Sequence, residues 1–266
     1  MALSSPSFHP SLLPLAQSSD SLRRVGASGA HLVHLFRRGC PLQTTWLLDV
    51  AACRDFLQAH VPPGHDLPTL LRLSRSRLRL ERAARARDQL LAVRFDPALR
   101  HALVALGTTL GATAPQGLMV RCSPTTDDES IASLANLDAV WPRLQDPVEL
   151  VRVVREGWAM LYLPEALLCL AQRGIRDVSM AFVIQPFVEP QGLATWSFPP
   201  RELLSKGGPT TAELLTSASV ASADEKRLPA LAQQLAAKAA EDLGSGGWMI
   251  TTTLGRKPRA SSKRVP

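Results

Sequence analysis

Tyrosine occurs once in this 266-residue chain, and Phe, Trp and Tyr together make up only 5% of it. With so few rings, a core must lean on Leu, Ala and Val. At 45% hydrophobic and 20% charged residues the chain has ample material for one large domain or two small lobes. Apolar runs such as Met180–Ile184 fall far short of a bilayer span, so no membrane association is expected. Cysteine is scarce too. Cys40, Cys53, Cys122 and Cys169 are too widely spaced for a C-x-x-C metal knuckle and too few for a disulfide framework in a chain of this length. Pro6, Pro10 and Pro14 interrupt any apolar leader near the N-terminus, which leaves the cytoplasm as the default expectation, without disulfides. The formal net charge is +7, but the segment 255–266 carries five basic residues and no acid. The basic balance is therefore local, and nucleic acid is not an expected partner.

What the chain does have is a distinctive central stretch, 120–136, reading V-R-C-S-P-T-T-D-D-E-S-I-A-S-L-A-N. An Arg leaving an apolar run, then small hydroxyl residues, paired acids and more small residues, suits a loop around a polyphosphate and its cation. The stretch resembles the loop V-R-S-S-A-T-A-E-D-x-P-x-A-S-F-A-G of the nucleotide-binding domain of phosphoenolpyruvate synthase and pyruvate phosphate dikinase. Val120, Arg121, Ser123, Thr125, Asp128, Ala132, Ser133 and Ala135 stand in register. Earlier, Val25–Leu35 reads as a glycine turn opening an amphipathic helix to about Arg38, with Gly39 as stop signal. It resembles the family's V-G-G-K-G-A-N-L-x-x-L, except that the phosphate-reaching Lys is Ser28.

Helices are expected at 50–60, from Pro97 to about Leu110 with Asp96 as cap, and from Asp146 to Gly157. Strands are expected at 44–48, 178–188 and 192–200, the last as the partner of the one before it. Within 71–91, Arg72, Arg75, Arg79 and Arg82 recur at helical spacing, with Leu73, Leu80 and Ala84 on another face. A solvated helix surface and a docking face for an acidic partner both account for this. Cys122, where the family has Ser, reads as a packed thiol.

The resemblance implies an α+β, ATP-grasp-like fold of two lobes with a reduced second lobe. The expected layout is a flexible lead-in at 1–24, the first lobe and start of the second at 25–200, a linker at 201–222, the remainder of the second lobe at 223–254, and a basic tail from 255. Residues 203–223 read as loop with one short helix, and 223–243 as a helix before a strand at 248–254. By the same resemblance Arg121 would act on the terminal phosphates, Ser123, Thr125 and Asp128 would contribute to nucleotide binding, and Gln185 would lie beside the base. The alternative for Arg121 is a structural ion pair with Asp127 or Asp128.

Departures from the pattern are as informative. Besides Ser28, Glu165 stands where a phosphate-site cation is expected, Met249 and Thr251 occupy the positions of the metal-binding acids, and Ser261 falls near a family Gln. ATP remains the implied ligand, whereas these losses speak against Mg2+. The mobile T-S-H-A-like segment of such relatives does not occur here, so the chain alone is not expected to be a complete synthase. Three readings stay open: a degenerate nucleotide-binding or regulatory pseudoenzyme, the kinase half of a split dikinase working with a separate phosphohistidine protein, and a basic scaffold docking through the arginine face.

Overall fold

Local cap signals set the three helices expected around 50–60, 97–110 and 146–157. In the computed structural model the Asp49 carboxylate accepts from the Ala51 amide at 2.9 Å and opens α2 (Val50–His60). Asp96 accepts from Ala98 and Leu99 to open α5 (Pro97–Gly111), with Pro97 in the first turn. Asp146 and Glu149 form a reciprocal capping box at the start of α6 (Pro147–Ala159). The structure describes residues 9–39, 42–126 and 137–188, together with the backbone of three strands, Pro190–Phe198, Thr211–Thr216 and Trp248–Gly255.

The chain divides into two compact units, Met1–Phe187 and Val188–Pro266. The first is built on a five-stranded antiparallel sheet in the order β1-β2-β5-β3-β4, where β1 is Leu12–Pro14, β2 Trp46–Leu48, β3 Leu118–Thr126, β4 Val140–Leu144 and β5 Val178–Pro186. The second contains a three-stranded antiparallel sheet in the order β7-β6-β8, with β6 Pro190–Phe198, β7 Thr211–Thr216 and β8 Trp248–Gly255. This is an α+β architecture. Among the described residues no helix is long and apolar enough to cross a membrane.

Strand alternation separates two cores. On one face of the first sheet Leu48, Val120, Cys122, Met180, Phe182 and Ile184 pack under α2 and α5, under α3 (Leu67–Arg72), α4 (Ser76–Ala92) and α6, and under α7 (Pro164–Gln172). The few aromatics gather there. Trp158 is fully buried, packs edge-on against Phe95 and tilted against Phe56 and Phe182, and donates its indole N–H to the Met180 carbonyl at 3.1 Å. The other face is covered by α1 (Leu22–Arg37), whose Val25, Ala30 and Val33 pack on Leu47 and Val183 in a smaller cluster.

Five expectations need correction. The lead-in is not loose throughout: Leu12–Pro14 forms an edge strand on β2, Leu12 is fully buried and Leu15 nearly so. Proline is tolerated there because it ends an edge strand. The central stretch is not a loop from Val120; every residue from Leu118 to Thr126 pairs with β5. The arginine-rich segment is two helices broken at 73–75, and α4 buries Ala83, Ala86 and Leu90, while Leu80 is exposed. Finally, β6 pairs with β7 and β8, not with β5, and Thr211–Thr216 is a strand where loop was expected. The helix expected at 223–243 lies outside the described residues.

Helix α1 is broken at Gly26, whose φ of 68° and ψ of 174° belong to a region only glycine occupies readily. A side chain there would also collide with the Ser123 carbonyl and hydroxyl and lie 2.7 Å from the Pro124 carbonyl oxygen. Gly26→Ala is expected to lower stability by about 3 kcal/mol, from backbone strain plus overpacking. Gly39→Ala, at a φ of 72° with nothing within 4 Å of a new Cβ, should cost only about 1 kcal/mol. Urea titration of both variants measures the difference; equal losses would remove the close approach to Ser123 as its cause.

Candidate functional site

Pairing of β3 with β5 places Arg121, Ser123 and Thr125 on the sheet face covered by α1, opposite Val183, Ala181 and Ser179. Gln185 follows on the same face, opposite Met119. Four residues singled out from the sequence are thus brought onto one surface. Their side chains are occupied very differently.

Ser123 is fully buried. Its hydroxyl donates to the Val25 carbonyl at 2.6 Å and accepts from the Gly29 amide at 3.2 Å. Because the helix restarts after Gly26, Gly29 carries the amide that a capping side chain would satisfy, and glycine has none. Ser123 supplies that cap from a distant strand. Thr125 is also buried, its hydroxyl directed at the Ser179 carbonyl at 3.4 Å, while Arg54 on α2 donates to the Ser179 hydroxyl at 3.2 Å. Gln185 is buried as well and donates its amide to the Thr45 hydroxyl at 2.8 Å. The hydroxyls of Ser123 and Thr125 and the side-chain amide of Gln185 are thus all bonded within the fold.

Arg121 differs. It is half-buried, and its Nε is enclosed with no hydrogen-bond partner. Burial lowers its pKa, and the nearby carboxylate of Asp138 opposes that shift. The guanidinium remains charged at neutral pH. It also acts on His31, whose pKa is pulled down by burial first, then by His34 and Arg121. His31 lies one turn beyond the half-buried Ser28 on the same side of α1. The arrangement is therefore one guanidinium on the sheet face covered by α1, close enough to His31 to lower its pKa.

Neither His31 nor Asp138 was singled out from the sequence. His31 had a usable signal, its spacing from Ser28. Asp138 had none, because it reaches Arg121 through the pairing of β4 with β3. Asp127 and Asp128, the sequence candidates for pairing with Arg121, lie outside the described residues, as does Ser261. Glu165 is exposed in the first turn of α7, where a carboxylate complements the helix dipole, and α7 packs on α3 and the turn Met160–Tyr162. Met249 and Thr251 lie on β8, paired with Ser197 and Thr195 of β6. Among the described residues no group of three or more His, Cys, Asp or Glu is arranged to hold a metal ion.

Cys122 is buried behind this face, its amide bonded to the Ala139 carbonyl at 2.9 Å, and burial pushes its thiol up to about 12, as it does that of Cys53. Both must stay protonated in the fold. Their contribution to stability is complete below the ordinary thiol value of 9.0 and is lost as pH rises toward about 12. Iodoacetamide at pH 8 should leave Cys53 and Cys122 unmodified in the native protein and alkylate both in urea, as read by peptide mass mapping. Native labelling of Cys122 would contradict this packing. Ser123→Ala strands the buried Gly29 amide and Val25 carbonyl, and should cost about 1–3 kcal/mol in urea titration; an unchanged midpoint would show that the bridge contributes nothing.

The strand, the broken helix and the Arg121 face all fall within a matched family. Residues 22–199 match the model of the pyruvate phosphate dikinase AMP/ATP-binding domain. No curated protein matches the chain. With α1 and the strands β2 to β5 inside that match, the chain belongs to the family of the pyruvate phosphate dikinase AMP/ATP-binding domain.

Proposed function

We propose that this chain is a degenerate, ATP-grasp-like nucleotide-binding domain that acts as a binding or regulatory module, with phosphoryl transfer weak or absent. The observation that carries the reading is the state of the cations. Position 28, where the family has its phosphate-reaching Lys, is Ser, and the first lysine anywhere in the sequence is Lys206, beyond the matched residues. A serine hydroxyl cannot neutralise phosphate oxygens as a mobile ammonium does. Transfer of a phosphoryl group depends on such electrostatic stabilisation, and loss of one contact typically lowers the rate by about a hundredfold or more. Ser123 and Thr125 support the same reading, since their hydroxyls serve the fold.

Arg121 is the group we assign to the nucleotide phosphates. Its fixed fork suits a phosphate, its Nε lacks a partner, and the helix restart lies along the same face. Isothermal titration with ATP, with and without Mg2+, is expected to give binding that Arg121→Ala weakens by at least about tenfold. Incubation of the protein with Mg-ATP, alone or with a phosphohistidine-domain protein, is expected to release neither phosphate nor AMP. No heat with ATP would remove the binding role; clear turnover would replace the pseudoenzyme by a working half of a split dikinase.

A further inference from the structure

A separate group of cations gathers on the helical side of the first unit. A pocket of about 610 Å³ opens between the connection preceding α5, the first turns of α5 and the flank of α6. Arg94, Arg100, His101 and Arg155 line it with Phe95 and Val151, and no acid is among its lining residues. The nearest acids in sequence are engaged: Asp96 caps α5, and Glu156 accepts two bonds from Arg152. Arg155 is held in place. Its Nη1 donates to the Val93 carbonyl at 3.1 Å, and its Nε is buried with no hydrogen-bond partner. Arg94 and Arg100 are exposed and able to close on a ligand. Phe95 gives a rigid apolar floor, since its ring is fixed by edge contacts with Phe56 and Trp158.

We propose that this pocket is a second ligand site, distinct from the Arg121 face, and that it takes a small phosphomonoester with an apolar or aromatic body. Three guanidiniums around one opening, at the positive end of α5, match the charge and the multiple acceptors of a phosphate. The Phe95 and Val151 surfaces require a body that inorganic phosphate does not have. The volume falls in the range of small-molecule sites, roughly 300–1,000 Å³.

Phenyl phosphate is the probe, titrated calorimetrically into the full chain. Binding of one molecule per chain is expected, tighter than that of inorganic phosphate. The Arg94→Gln/Arg100→Gln double variant should weaken it by about tenfold or more, because each loses a charge-assisted donor. Arg77→Gln, which removes an arginine whose side chain is 93% exposed on α4, should leave it unchanged. Vesicles of phosphatidylcholine containing phosphatidic acid should not retain the protein. The proposal is overturned by absence of heat with the native chain, by equal affinity for inorganic phosphate, by an undiminished signal in the double variant, by vesicle capture in place of phenyl phosphate binding, or by loss in Arg121→Gln with retention in the double variant. Among the described residues the side chains of Arg94 and Arg100 make no hydrogen bond or ion pair, so a urea midpoint close to that of the native chain should accompany the loss.

Discussion

One hydroxyl ties α1 to the first sheet. Helix α1 breaks at Gly26 and restarts with an amide that has no cap of its own, and the Ser123 side chain fills that role from the middle of β3. Much else follows from this contact. It lies beside the close approach of Gly26 to the strand, on the face where α1 packs over Leu47 and Val183. Arg121 lies two residues away on the same face, so the geometry of the remaining cation depends on it. The Ser123 hydroxyl donates once and accepts once in this contact, so its proton is committed to the fold.

How much of this could be read from sequence depends on how local each signal is. Asp49, Asp96 and Asp146 cap helices within three residues of themselves, and α2 begins and ends where the pattern places it. The glycine turn and the stop at Gly39 were equally readable, since both need a backbone that only glycine adopts easily. β3 was not, because Ser123, Pro124, Thr125 and Thr126 have the composition of a loop and become strand only through pairing with Ala181, Met180, Ser179 and Val178. The arginine helix failed for a related reason: periodicity alone ran through the break at 73–75, where Leu73 and Arg75 take extended backbone.

The candidate site divides along the same line. The residue types on the Arg121 strand were legible, and so was the substitution at Ser28. What each hydroxyl bonds to was not, because Val25, Ser179 and Thr45 lie 98, 54 and 140 residues away from their partners. Arginine shows the same separation between type and place. Of the four in the expected docking face, Arg79 donates to the Leu73 carbonyl and Arg82 to the Gly64 carbonyl at 3.3 Å, leaving Arg72 and Arg75 exposed. The cations that converge on a cavity, Arg94, Arg100 and Arg155, follow no periodic pattern at all.

The three-residue strand β1 has a role out of proportion to its length. Leu12–Pro14 shields the outer hydrogen-bonding edge of β2, and flanking bonds from Asp49 to Ser11 and from Leu15 to Thr45 stitch it down on both sides. Proline closes the outward edge to further pairing. A chain trimmed at Ser19 on the strength of its Ser- and Pro-rich beginning would bare Trp46–Leu48 as an apolar strand edge. Self-association that grows with concentration, measurable by light scattering, is the behaviour such an edge confers, so this unassuming segment acts as the guard that keeps one copy of the sheet from adding itself to another.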